Sequence, residues 1–262
     1  MADGSVKEAA AKEEQPGVEF KNVSLTYSGS GAPSVERINF KAMKGQTIGV
    51  IGGTGSGKSS LVNLIPRLYD ATQGEVLVDG VNVKDYDIET LRNKVGIVMQ
   101  KAVLFKGTIR ENMWMGKKGA TDEQIDEALE ISQSKEFVDS KQGRLDYVIE
   151  QGGKNLSGGQ RQRLTIARAI VRKPDVLILD DSASALDFAT DAALRKAIRG
   201  MNNSPTVFIV SQRAASLMYA DLIIVLDDGQ VAGMGTHDEL LANCEVYKEI
   251  YESQFKKADS EG

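Results

Sequence analysis

Short apolar runs of four or five residues recur in the C-terminal half of the chain: VLIL at 176–179, TVFIV at 206–210 and LIIVL at 222–226. None approaches the ~20 apolar residues that a membrane-spanning helix needs. Their length, and their alternation with helical stretches, predict buried parallel strands joined by crossover helices. The N-terminal part is patterned differently. VEFKNVSLTY from Val18, VERINFKA from Val35 and QTIGVIG from Gln46 read as strands, separated by Gly, Ser and Pro at 28–34 and by Gly45. A helix is expected from Gly57 to about Leu68, and a further short strand at 75–78.

Between about 101 and 172 strand signals are few and helical ones several, so this stretch reads as a helical insert. In TDEQIDEALEIS, Thr121 suits an N-cap and Asp122 and Glu123 suit the positive end of the helix dipole. Residues 1–17 are polar and rich in Ala, Glu and Lys, and read as a linker. The main domain is expected over 18–255, ending in two amphipathic helices within HDELLANCEVYKEIYESQF, with a flexible tail at 256–262. No repeat of 20–50 residues is present.

With 262 residues, 41% hydrophobic and 26% charged, the chain can bury a sizeable core in one large domain, alone or with a smaller companion. The net charge of −5 argues against a general nucleic-acid binder that works by phosphate neutralisation. Cys244 is the only cysteine, so an internal disulfide is excluded, and no apolar leader follows Met1; both point to a reducing cytosol. His237 is the only histidine, which narrows the catalytic options.

Residues 52–59, GGTGSGKS, satisfy G-x-x-x-x-G-K-[ST] directly after the predicted strand TIGVI and ahead of a helix. Such a loop can wrap backbone N–H groups from Gly52, Thr54, Gly55, Ser56 and Gly57 around phosphate oxygens. Lys58 would neutralise the β and γ oxygens, and Ser59, with Ser60 beside it, would bring a hydroxyl to Mg²⁺. A P-loop also needs a metal-side carboxylate at the end of a neighbouring buried strand. VLILDD at 176–181 provides one in Asp180.

Residues 156–160, LSGGQ, precede RQRLTIARAI, whose Leu164, Ala167 and Val171 share one helical face. Ser157 fits an N-cap, and Gly158 and Gly159 leave the first N–H groups open to an anion. With the P-loop, these segments resemble the nucleotide-binding domain of an ABC transporter of the exporter type. The resemblance covers nearly all of 18–255 and is carried by Tyr27 in VSLTYSG, GGTGSGKS, Gln100 in VGIVMQKAVLFKGTIREN, LSGGQRQR, VLILDD and SALD ending at Asp187. It implies a P-loop NTPase of the α/β class: a RecA-like core with an antiparallel β subdomain and an inserted helical subdomain. It also implies ATP and Mg²⁺ as ligands and a place at the cytoplasmic face of a membrane. Tyr27 would stack on adenine, and Gln100 would touch Mg²⁺ and the attacking water. Ser157, Gly158, Gly159 and Gln160 would bind the γ-phosphate of an ATP held by a second nucleotide-binding domain, in a head-to-tail pair coupled to transmembrane domains. Asp187, which ends SALD, would be a further nucleotide-binding residue.

Two positions depart from the family pattern. The residue after Asp180, a water-polarising Glu in the family, is Asp181. One methylene fewer withdraws the carboxylate by about 1.5 Å, whereas a general base must approach within about 2.6–3.2 Å. Where the family carries a switch histidine, TVFIVSQRAAS has Gln212, which can donate to a phosphate oxygen but cannot become cationic. His237, in GTHDEL, sits where family members start a helix outside the site. Both losses fall on one half-site whose P-loop, Asp180 and LSGGQ are intact. The pattern resembles the slow subunit of a heterodimeric exporter, with a non-identical partner.

Other classes fit less well. A homodimeric exporter with two slow identical sites differs only in its partner, and a non-catalytic ATP-dependent module differs only in whether LSGGQ serves that partner. A DNA-repair ATPase of this superfamily needs long coiled-coil arms, but only 55 residues separate Gln100 from Leu156. The acidic balance weakens a translation factor. The short charged N-terminus points to membrane helices on the same polypeptide, outside this chain.

Overall fold

The computed structural model describes residues 15–181 and 185–258, with side chains described to Gln254. The first strands are β1 (Pro16–Leu25), β2 (Val35–Met43) and β3 (Thr47–Ile51), followed by helix α1 (Lys58–Asn63). Then come β4 (Gln73–Val78), β5 (Val81–Asn82), α2 (Ile88–Lys94) and β6 (Val95–Val98). The middle carries β7 (Gly107–Thr108), α3 (Ile109–Trp114), α4 (Asp122–Ile131), α5 (Lys135–Asp139), β8 (Val148–Ile149) and α6 (Gly158–Ile170). The remainder is β9 (Val176–Asp180), α7 (Phe188–Arg199), β10 (Thr206–Val210), β11 (Leu222–Asp227), β12 (Gln230–Gly235), α8 (His237–Asn243) and α9 (Glu245–Ala258).

The central sheet has the order β12-β11-β3-β10-β9-β6, parallel except for β12 at one edge. Strands β3, β9 and β10 are buried along their whole length, as expected of strands covered on both faces. Alternate residues feed two separate cores. Ile178, Phe208, Val210 and Ile224 face the second sheet, of order β2-β1-β4-β5, while Leu177, Leu179, Val207, Ile209 and Val225 face the helices. Between the sheets Phe20 stacks on Phe40 at 4.5 Å, and Phe40 meets Phe208 at 6.2 Å. Each fully buried aromatic of this kind contributes about 1.5–3 kcal/mol. Lys94 bridges Asp79 of the antiparallel sheet and Asp175 ahead of β9, at 3.0 and 2.8 Å, tying the two sheets together at their rim.

In the middle segment, Thr121 and Gln124 form the capping box that starts α4, and α4 buries Ile125, Ala128 and Leu129. Ser157 and Gln160 do the same for α6, which buries Leu164, Ile166, Ala167 and Ile170.

Several boundaries differ from the sequence reading. Helix α1 stops at Asn63 rather than near Leu68, because Pro66 has no N–H and disfavours helical geometry before it; the chain continues in i→i+3 turns such as Ile65 N to Val62 O. Strand β1 already starts at Pro16, inside the stretch read as linker, and α9 continues to Ala258, past 255. Strand β9 is not beside the P-loop strand. β10 lies between them, so Asp180 is two strands from β3. Strands β6 and β12 were not legible: β6 has only four residues. The turn into β12, Asp228 and Gly229 with φ 43° and 76°, carries the Asp-Gly signature of a hairpin that the reading passed over.

Candidate nucleotide-binding site

Strands β3, β9 and β10 all end on the same edge of the sheet, and the ends of β9 and β10, with the loop that follows β3, open into one cavity of about 290 Å³. This is the crevice in which open α/β sheets bind ligands. Thr54, Gly55, Gly57, Lys58, Ser59, Ser60, Gln100, Asp180, Asp181 and Gln212 line it, together with Ser34, Val210 and Ser211.

The loop after β3 is held in a shape that side chains would block. Gly57 is left-handed, with φ 96°, and a Cβ there would lie 2.3 Å from the carbonyl oxygen of Ser34. A Cβ on Gly52 would lie 2.2 Å from the Leu226 carbonyl oxygen. Gly229 N, from the β11–β12 turn, donates to Ser56 O at 3.3 Å and braces the loop from outside. Lys58 leads α1 back across the loop: its Nζ donates to Gly52 O at 2.9 Å and Gly53 O at 2.6 Å, and lies 3.5 Å from Ser56 Oγ. Its ammonium is thus held against the carbonyl groups of the loop itself.

Burial dominates the electrostatics. It lowers the Lys58 ammonium below the ordinary lysine range, against the opposing pull of Asp180 and Asp181. It raises the Asp180 carboxyl above the ordinary range; Asp181 adds to the rise, and the Ser59 hydroxyl and Lys58 oppose it. Each group would regain its charge from an opposite charge placed in the cavity, an anion for Lys58 and a cation for Asp180.

The Ser59 hydroxyl, the Asp180 carboxylate and the Gln100 amide oxygen form an all-oxygen donor set, which suits Mg²⁺. Among the described residues no group of three or more His, Cys, Asp or Glu could hold a metal ion. A magnesium ion here would therefore depend on phosphate and water for its remaining ligands, as Mg²⁺ in nucleotide sites generally does.

Asp181 follows β9 in the left-handed region, φ 45°, where Asp is among the better tolerated residues. Its N–H donates to Val210 O at 2.9 Å, and its Oδ2 accepts from Gln100 Nε2 at 3.3 Å. Gln212 reaches the cavity from the loop after β10, in which Ser211 N donates to Val50 O at 3.1 Å and Arg213 N to Ser211 Oγ at 2.9 Å.

Tyr27 stands at the cavity's shoulder. Its hydroxyl donates to Ser60 Oγ at 3.0 Å, and its ring meets Tyr69 edge-on at 4.9 Å. Ser157, Gly158, Gly159 and Gln160 do not line this cavity; they form the N-terminus of α6, with Ser157 and Gly158 exposed. Asp187 is also absent from it and caps α7, accepting from Thr190 N at 2.9 Å. Of the SALD segment, Ser184 lies outside the described residues. His237 is remote, bonded through Nδ1 to the Tyr247 hydroxyl at 2.8 Å. Ser34 and Tyr69 were not found from sequence, since neither sits in a motif.

Comparison with known proteins agrees with this geometry. The ABC transporter family pattern matches residues 35–184. An ABC transporter ATP-binding protein of Bacillus subtilis, YfiB, is 43% identical over 244 residues, covering 93% of this chain and 42% of that protein. A candidate multidrug export ATP-binding/permease protein of Staphylococcus aureus is 38% identical over 237 residues, covering 90% of this chain and 41% of its own length. The solved structure of a bacterial Atm1-family ABC exporter with ATP bound superposes with a TM-score of 0.86 at 32% identity, over 91% of this chain and 42% of that one. The chain thus spans less than half the length of these relatives. With the family pattern covering more than half of it, the chain belongs to the ABC transporter family, as one of its ATP-binding domains.

Proposed function

We propose that this domain binds ATP with Mg²⁺ and closes head-to-tail on a second, non-identical ATP-binding domain to drive export. In this reading its own half-site is slow in hydrolysis, and its LSGGQ completes the hydrolytic site of the partner. The observation that carries the reading is the acidic residue after β9: Asp181 is one methylene short of a glutamate, and it shares the cavity with Gln212 rather than with a histidine.

Lys58 and the loop amides hold the triphosphate, and the Tyr27 ring offers a face to the adenine. Ser59, Asp180 and Gln100 hold the metal, which when bound supplies charge neutralisation at the phosphates. Asp181 accepts a proton poorly at this reach, and Gln212 donates a hydrogen bond to the terminal phosphate without adding charge. A misplacement of about 1 Å at the base can cost on the order of a hundredfold in rate. The need for a second domain is supported by the position of Ser157 and Gly158, exposed at the start of α6 and outside the cavity that holds Lys58.

Transmembrane domains are the remaining partners of this reading, which places the domain at the cytoplasmic face of a membrane. No helix among the described residues is long and apolar enough to cross one. The Staphylococcus aureus relative joins ATP-binding and permease functions in its name, which supports membrane helices on the same polypeptide. The test is to mix the chain with a candidate partner domain that has an intact glutamate. The ATPase rate of the mixture should rise well above the sum of the parts, and Ser157→Ala should abolish the rise. A homodimer of slow sites would show no rise on mixing.

A further inference from the structure

We propose that Gln254, on α9, is a positioning residue of the nucleotide site, and that the C-terminal helix sets the reach of Gln212 towards the terminal phosphate. The inference rests on the reading of Gln212 as a phosphate-facing residue.

A single amide side chain grips the loop after β10 at two points. Gln254 Nε2 donates to the Gln212 carbonyl oxygen at 2.7 Å, and Gln254 Oε1 accepts from Ala214 N at 2.9 Å. The orientation of the amide is fixed by chemistry: a backbone carbonyl can only accept and a backbone N–H can only donate, so a flipped side chain would lose both bonds. The two contacts bracket residue 213 and fix the peptide planes on either side of it. Gln212 lines the cavity while its own carbonyl is held by α9. On the other side of the loop, Ser211 N is bound to Val50 O on β3. The loop is therefore suspended between the strand that leads into the phosphate loop and the C-terminal helix.

The helix is a firm support. Tyr247 is fully buried in the core of the helical side and bonded to His237, and Ile250 and Tyr251 pack on the same core. Gln254 follows Tyr247 by seven residues, two turns along the same face. Removing its amide would free the loop without emptying the cavity, because Gln254 itself does not line it.

The test is calorimetric titration of the chain with Mg·ADP and with the Mg complex of the non-hydrolysable β,γ-imido analogue of ATP, using wild type, Gln254→Met, Gln212→Ala and the double variant. Methionine keeps the volume and removes both polar ends. Gln254→Met should lower the preference for the triphosphate over ADP by about tenfold, the scale of one hydrogen bond to a charged group, while ADP affinity stays within about twofold. Gln212→Ala should lower the preference comparably, and the double variant no further than Gln212→Ala alone. Equal weakening of both nucleotides by Gln254→Met would mark a merely structural role and overturn the proposal. So would an unchanged preference in Gln254→Met beside a lowered one in Gln212→Ala; in that case the reading of the site would stand. An unchanged preference in Gln212→Ala would overturn both. Should the methionine variant fail to fold, Gln254→Glu decides in the same way: it keeps an acceptor for Ala214 N but sets a carboxylate oxygen against the Gln212 carbonyl.

Discussion

Gln100 Nε2 donates to Asp181 Oδ2 at 3.3 Å, joining residues 81 positions apart at the mouth of the nucleotide cavity. The distance is beyond the usual range of a strong N–H···O bond. The two side chains touch directly, and the aspartate is the shorter partner. A glutamate at this position would reach about 1.5 Å further, and Gln100 would have to move aside to admit it.

Restoring the reach should restore chemistry. Asp181→Glu combined with Gln212→His is expected to raise single-turnover cleavage of ATP on the order of a hundredfold, the cost attributed to a displacement of about 1 Å. Rapid-quench measurement of phosphate release checks this, and no gain would show that these two residues do not limit the rate.

Burial disfavours the Lys58 ammonium while no anion is bound, so the loss of this side chain should be felt as binding rather than as unfolding. Lys58→Met removes a charge-assisted contact of about 1.5–3 kcal/mol, or roughly 10–150-fold in ATP affinity. Equilibrium titration with a fluorescent ATP analogue measures it; the melting temperature without nucleotide should not fall.

Asp180 gives a pH signature. Its folded-state pKa is raised by burial, so the native state holds the proton more tightly than the unfolded chain does. The associated stability is fully present below the unfolded value of 3.8 and is lost as pH rises through the raised folded value. Asp180→Asn removes that loss. Without nucleotide the variant should melt above wild type at pH 7, and the gap should close as pH falls towards 3.8. Lys58 and Asp181 face the same carboxyl, and Lys58 loses the pull of Asp180 in the variant. Scanning calorimetry across that range is the check, and a gap that widens towards acid would reverse the sign.

Ser157 caps α6 through its bond from Gln160 N at 3.2 Å. Ser157→Ala should cost about 1 kcal/mol, a fall of about 2–4 °C in melting temperature for a domain of this size. A thermal melt monitored by circular dichroism reads it. This modest cost leaves a folded chain in which the effect on a partner's ATPase can be measured separately.

Much of this site was legible from sequence because its parts are local. Gly52 to Ser59 fold a loop by their own glycines, Ser157 and Gln160 cap a helix three residues apart, and VLIL buries a strand that must deliver Asp180 to an edge. What was not legible depends on long-range placement. The insertion of β10 between β3 and β9 follows from crossover topology, which run lengths do not encode. Ser34 matters through its backbone carbonyl, which limits Gly57. Gln254 is one polar residue among several on an amphipathic helix, and its role appears only once α9 has packed beside the loop after β10. Pro66 is visible in the sequence, and it ends α1 although the helical periodicity continues beyond Asn63.

The central claim is that the domain holds ATP firmly and cuts it poorly without a partner. The most direct measurement is multiple-turnover ATPase of the purified chain alone with Mg²⁺, at saturating ATP and across a range of protein concentrations. Bound, intact ATP is expected, with a rate far below the ordinary enzyme median of about 10 per second; a rate near that median from the chain by itself would contradict the proposed function.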